Sequence, residues 1–159
     1  NVRHILITPD ETETTGDEAA DTAAQEEAKA NAKAEAESLL DQFLAGDQTE
    51  DAFAEMANTY SDDPGSNTTG GLYEQVYQGQ MVTEFNDWCF DPARQTGDTG
   101  IIHNESTGYH VMYFVGYDQP YWEIQVSADL VNDAVDTFYE EKTEGYTAEQ
   151  SSFGMSFVG

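Results

Sequence analysis

The sequence predicts an α+β fold with a helical extension at its C-terminal end, and three features carry that prediction. Tyr109–Gly116 is the longest apolar run, rich in β-branched and aromatic residues and free of charge on both faces. Such a run marks a central strand covered on both sides. Val2-Arg3-His4-Ile5-Leu6-Ile7 is a second strand-like run, at the other end of the sequence. Between the two, apolar residues recur at the helical period. Period-two alternation puts His110, Met112 and Phe114 on one face of the late strand and Tyr109, Val111, Tyr113 and Val115 on the other. A titratable ring inside such a strand needs a partner. The best candidate is His4; if the two strands pair, two imidazoles meet near the middle of one sheet.

Taken in order, residues 2–8 form the first strand. Residues 9–27 carry Asp10, Glu11, Glu13, Asp17, Glu18, Asp21, Glu26 and Glu27 with no basic residue, and read as a long acidic mobile loop. Its acids do not fall at the spacing of a calcium-binding helix–loop–helix. Around Glu26 a helix begins, with Ala32, Ala36, Leu39, Leu40, Phe43 and Leu44 as its stripe and Gly46 as its stop. A second helix, capped by Thr49 or Asp47, buries Phe53, Met56, Ala57 and Tyr60. Residues 61–71, Ser-Asp-Asp-Pro-Gly-Ser-Asn-Thr-Thr-Gly-Gly, are turn chemistry throughout, and Leu72–Gln80 is irregular. A third helix from about Val82 to Phe90 buries Val82, Phe85, Trp88 and Cys89 and ends at Asp91-Pro92. Thr99–His103 is a short strand, and the turn Glu105–Gly108 makes a hairpin into Tyr109–Gly116. After Pro120, Val126, Leu130, Val131, Ala134, Val135, Phe138 and Tyr139 form a long helical stripe. Residues 144–159 thin out to Gly, Ser and Thr with Phe153, Met155 and Phe157. The expected division is one domain over 1–119 and a C-terminal helix and tail over 120–159.

The totals narrow the classes of partner. The 159 residues include 32 acidic and 5 basic ones, a net charge of −27. A surface of that sign repels nucleic acid and anionic membrane and favours neutral or cationic partners. Cys89 is the single cysteine, so no internal disulfide is possible, and its apolar setting reads as a buried inert thiol. No apolar run is long enough to span a membrane. The chain starts directly on a strand, as an excised fragment does, and any membrane attachment is expected through a segment outside it.

Residues 2–117 resemble a parvulin-type peptidyl-prolyl cis/trans isomerase. The resemblance rests on Val-Arg-His-Ile-Leu-Ile at the start, Phe-Ala-Glu-Met-Ala-Asn-Thr-Tyr-Ser-Asp-Asp at 53–63 and Gly-Gly-Leu at 70–72. It continues with Gly-Gln-Met-Val-Thr-Glu-Phe at 79–85 and Thr-Gly-Tyr-His-Val-Met at 107–112. Their order and spacing follow the family over nearly the whole domain. The resemblance implies a four-stranded antiparallel sheet with surrounding helices, a parvulin- or FKBP-like architecture, with the active site on one sheet face. It implies that His4, Asp63, Thr107 and His110 are the catalytic residues and that Leu72, Met81 and Phe85 receive the proline ring. One departure stands out. Where the family commonly has Gly-Asp-Leu-Gly, this chain has Gly70-Gly71-Leu72-Tyr73, and the segment to Met81 is slightly longer.

The implied activity is isomerisation of X–Pro bonds in unfolded or proline-containing polypeptides. It needs no cofactor and no metal, and it shows no preference for phosphate, since the segment after the first strand is acidic where some family members carry Lys and Arg. Asp63 is expected to be partly protonated by burial near the histidines. The wording of the motifs is similar to that of secreted Gram-positive foldases, which implies an extracytoplasmic setting and identifies the stripe at 126–139 with a chaperone helix. A rival reading is a parvulin-like chaperone or peptide-binding module with little or no activity. An acidic calcium binder is a third, resting on charge alone. Each residue also has a plain structural reading. His4 and His110 fit satisfied core histidines, Met81 and Phe85 fit core, and Asp63 and Thr107 fit turn residues. Trp88, Phe90 and Phe114 belong to the core, and His103 has no matching role.

Overall fold

In the computed structural model, which describes residues 1–146, the chain divides into two units, Asn1–Asp118 and a second from Gln119 onward. The first unit runs β1 (Val2–Ile7), α1 (Glu18–Ala45), α2 (Glu50–Tyr60), β2 (Leu72–Tyr73), α3 (Thr83–Cys89), β3 (Thr99–Asn104) and β4 (Gly108–Phe114). Its four-stranded sheet has the order β2-β1-β4-β3, and every pairing is antiparallel. The strands from the two ends of the unit are thus the central pair, with Ile5 opposite Val111 and Leu6 opposite His110. β3 and β4 form the expected hairpin.

Strand alternation gives the sheet two buried faces. On one, Ile5, Ile7, Val111 and Tyr113 pack against Ala32, Ala36, Leu39 and Phe43 of α1 and Phe53 and Ala57 of α2. The rings of Phe43, Phe53 and Tyr113 meet with centroids 5.3 to 5.8 Å apart, the spacing of favourable aromatic pairs. On the other, Val2 and Met112 pack against Phe85 and Cys89 of α3. These two α3 residues lie four apart, on one helical face. His4 and His110 share this second face.

Several elements differ from the sequence reading. Residues 18–27 are helix, not loop. Ala19, Ala20, Ala23 and Ala24 are the strongest helix formers and need no buried stripe. The Asp17 carboxylate caps the helix by accepting from the N–H groups of Ala19 and Ala20, and Glu18 and Asp21 sit in the first turn, where the helix dipole favours negative charge. Leu44 and Tyr60, expected on buried stripes, stay 45% and 43% exposed; the buried face of α1 runs through Ala32, Ala36, Leu39 and Phe43, and Leu44 is turned about 100° away from Phe43. Val82 is the residue before α3, not part of its buried face, while Cys89 is buried as expected. Leu72–Tyr73 is a short edge strand within the segment read as irregular.

The second unit contains α4 (Tyr121–Thr143), which starts earlier than the stripe alone indicates. Trp122, Leu130, Val131, Phe138 and Tyr139 on it are more than half exposed. The expected thinning of structure toward the end, with Phe153, Met155 and Phe157, lies outside the described residues. No helix among them is long and apolar enough to cross a membrane.

Candidate active site

The site is built where β1 and β4 carry their histidines side by side. His4 lies opposite Met112 and His110 opposite Leu6, so the two rings are diagonal neighbours on one sheet face. Their Nδ1 atoms are 3.0 Å apart, and the rings stack at 19° with centroids 5.2 Å apart. Both residues are buried.

Asp63 reaches them from the loop after α2, and that loop is fastened to β1 at both ends. The Asp62 N–H donates to the Leu6 carbonyl at 2.8 Å, and the His4 N–H donates to the Gly71 carbonyl at 2.9 Å. The Leu6 N–H donates to Ser61 Oγ, and Arg3, held by Glu50, donates to the carbonyls of Thr69 and Gly70. Gly71 is indispensable to this approach. Its φ of 69° is left-handed, and a Cβ there would collide with the His4 carbonyl.

A single polar chain crosses the site. His4 Nε2 lies 2.9 Å from Asp63 Oδ2, and Thr107 Oγ1 lies 2.8 Å from His110 Nε2. Ser66 Oγ donates to Asp63 Oδ2 at 2.6 Å, Tyr73 OH donates to the same oxygen at 2.9 Å, and the Gly65 N–H donates to Oδ1 at 3.0 Å. Burial pushes the Asp63 carboxyl up, but these hydrogen bonds, from Ser66, Gly65, His4 and Tyr73, outweigh it and hold the group at about 2. Asp63 is therefore ionised at neutral pH. The expectation of a partly protonated carboxyl is corrected: burial is real, yet every neighbour that touches the carboxylate is a donor.

The ionised Asp63 fixes the direction of the chain, because a carboxylate only accepts. His4 must carry its proton on Nε2. Burial lowers the His4 pKa although Asp63 opposes it, and burial together with the neighbouring His4 brings His110 down to about 4, so both rings are neutral. Neutral His4 then accepts at Nδ1 from the Nδ1–H of His110, and His110 Nε2 accepts the Thr107 hydroxyl proton. All donors point toward Asp63. The four residues expected to be catalytic are thus one hydrogen-bonded unit.

Beside the chain lies an apolar wall. Phe85 faces His4 edge-on at 5.6 Å and His110 at 6.0 Å between centroids. Met81 packs against the same cluster as Phe85 and Met112. Leu72 does not join them. It pairs with Arg3, whose side chain faces α2 through Glu50, so alternation puts Leu72 on the far sheet face. Tyr73, opposite Val2, takes the position on the histidine face, with its ring 5.2 Å from His4 and 6.5 Å from Phe85.

Ser66 and Tyr73 were not singled out in the sequence. Ser66 is fully buried but sits in a run of turn residues where serine is unremarked. Tyr73 had a signal: it stands where the resembled pattern has glycine. Among the described residues no group of three or more His, Cys, Asp or Glu side chains is placed to hold a metal ion.

Comparison with known proteins agrees with this fold. A family model described as the PPIC-type PPIase domain matches residues 1–115. The foldase protein PrsA 4 of Bacillus cereus is 37% identical over 60 residues, 38% of this chain and 21% of that protein. The chaperone SurA of Alkalilimnicola ehrlichii is 39% identical over 110 residues, 69% of this chain and 21% of that protein. The chain's matches thus span about a fifth of the length of these curated relatives. Among solved structures, the peptidylprolyl isomerase PrsA from Bacillus anthracis matches at a TM-score of 0.52 and 21% identity, over 91% of this chain and 51% of that one. A structure described with the SurA-like chaperones PEB4 and Cj1289 of Campylobacter jejuni matches at 0.51 and 20% identity, over 94% and 55%. At those identities the structural likeness establishes a shared fold. The motif order, the sheet carrying two stacked histidines and the family match over 1–115 together identify this chain as a member of the PPIC-type, or parvulin, peptidyl-prolyl isomerase domain family.

Proposed function

We propose that this chain isomerises X–Pro peptide bonds in unfolded polypeptides and so assists protein folding outside the cytoplasm, without a cofactor. The observation that carries the reading is the oriented chain from Thr107 through His110 and His4 to Asp63, lying against the wall of Phe85, Met81 and Tyr73.

Rotation about a peptide bond meets a barrier of about 18–20 kcal/mol, because the nitrogen lone pair is delocalised into the carbonyl. For X–Pro both isomers are populated and exchange in tens to hundreds of seconds. No bond breaks, so the catalyst must favour the twisted amide over the planar one. The apolar wall seats the pyrrolidine ring and excludes water, which disfavours the more polar planar form. Asp63 acts through its charge. The carbonyl oxygen is more negative in the planar amide than in the twisted one, so a fixed carboxylate beside it raises the planar state more than the twisted state. The histidines and Thr107 hold that carboxylate in place and stay neutral while doing so.

The basic residues of the first unit support a reading without phosphate recognition. Arg3 is paired with Glu50, Lys29 with Glu26 and Glu105, Lys33 with Glu37, and Arg94 with Asp91 and Asp98. Peptides with Lys, Ala or Glu before proline test this: turnover is expected to be poorest with Glu, and a Glu preference contradicts it. A protease-coupled assay on a prolyl tetrapeptide tests the activity, with His110→Ala as the impaired control. A second reading, a peptide-holding module of low activity, is favoured by one observation: Phe85 is only 1% exposed, so a proline ring reaches it only after neighbouring side chains shift. Peptide binding without acceleration in the wild type selects that reading.

A further inference from the structure

Tyr73 departs from the pattern that the rest of the site follows, and the departure has a structural consequence. The residue expected in the pocket, Leu72, pairs with Arg3 and lies on the far face of the sheet. Tyr73 occupies the site face instead, with its ring against both His4 and Phe85 and its hydroxyl on Asp63 Oδ2 at 2.9 Å. The hydroxyl also packs close to Gly65, where an added Cβ would come within 3.2 Å of it. Like His4, Tyr73 touches both the apolar wall and the carboxylate.

We infer that Tyr73 is the specificity-determining wall of the proline socket and, through its hydroxyl, a positioning residue for Asp63. The inference rests on the isomerase reading for the identity of the ligand but not for the placement of Asp63. Its two parts are chemically separate. The ring replaces an aliphatic wall with a flat aromatic face, against which the C–H groups of a pyrrolidine pack through dispersion and a weak electrostatic attraction. The hydroxyl adds a charge-assisted hydrogen bond to a carboxylate oxygen that already accepts from His4 and Ser66, and such bonds are the strong ones. Burial and that same bond raise the Tyr73 pKa, so the phenol stays a donor across the neutral range.

Two measurements test the two parts, and neither requires turnover, so a failure of the isomerase reading leaves them interpretable. The first is the affinity of a prolyl tetrapeptide, read by NMR shift titration of the whole chain. Tyr73→Phe is expected to bind within twofold of wild type and Tyr73→Ala about tenfold more weakly, from the lost apolar contact. Leu72→Ala is expected to weaken binding less than Tyr73→Ala does. The second is the alkaline titration of Tyr73, followed through a ¹³Cζ-tyrosine label in wild type and Asp63→Asn. The Tyr73 midpoint is expected to fall when the carboxylate is replaced by a neutral amide. Equal losses for Leu72→Ala and Tyr73→Ala overturn the socket role, and an unmoved Tyr73 midpoint in Asp63→Asn overturns the positioning role. An amide-resolved spectrum of each variant shows that the fold is retained.

Discussion

Replacing Asp63 with Asn tests the electrostatics of the site through stability alone. The carboxylate accepts from Ser66, Tyr73, His4 and the Gly65 N–H, and its pKa falls from 3.8 to about 2 on folding. A depressed carboxyl pKa contributes stability that is present above the unfolded value and lost as pH falls through the folded one. The drop of nearly two units, at about 1.4 kcal/mol per unit, corresponds to about 2–3 kcal/mol at neutral pH. Asp63→Asn keeps the shape and removes the charge, so it loses that contribution at every pH. The assay is urea unfolding of wild type and variant at a series of pH values, and the quantity of interest is the difference between them, since the many other carboxylates cancel. The gap is expected to be about 2–3 kcal/mol at pH 7 and to narrow between pH 4 and pH 2. A gap that does not change with pH refutes the reasoning, because it would mean that the four donors stabilise a neutral group as well as an ion.

Three further outcomes follow from the same geometry. His110 is held neutral with its pKa lowered from 6.5 to about 4, so the unfolded chain binds more protons than the folded one in that range; stability is expected to decline as pH falls from 6.5 through 4, and His110→Gln is expected to flatten that decline in urea unfolding. Gly71→Ala forces a Cβ onto the His4 carbonyl at a left-handed φ, and a loss of roughly 3 kcal/mol or more is expected in thermal unfolding, against a much smaller loss for Gly79→Ala, whose Cβ meets nothing within 4 Å. Ser66→Ala removes a buried hydroxyl 2.6 Å from Asp63 and is expected to cost about 1.5–3 kcal/mol in urea unfolding, as for a hydrogen bond to a charged group.

Much of this site is legible in the sequence because strands and helices write their faces as periods. The apolar runs Tyr109–Gly116 and Val2–Ile7 marked two strands, and pairing them brings His4 beside His110; the runs are legible because strands covered on both faces are almost continuously apolar. Asp63, Met81 and Phe85 were legible through motif order, not through periodicity. Leu72 and Tyr73 exchanged places for a reason that no propensity carries. An edge strand of two residues has its register set by pairing with β1, and a shift of one residue inverts its faces. The early start of α1 was hidden because the alanines of residues 18–27 favour helix without burying a stripe, and the reading depended on a stripe. The ionisation of Asp63 was misjudged because burial is readable from apolar neighbours, whereas the number of donors converging on one oxygen depends on how the loop 61–71 folds.

The central claim is that this arrangement accelerates rotation about X–Pro bonds, and two-dimensional exchange NMR on an alanyl-prolyl tetrapeptide tests it most directly. It reads cis/trans interconversion without any coupled protease. Catalytic amounts of the wild-type chain are expected to produce cis–trans exchange cross-peaks absent from the peptide alone, and Asp63→Ala is expected to weaken them strongly. Cross-peaks that stay absent at concentrations where the peptide is visibly bound would contradict the account and leave the site as a holder of polypeptide.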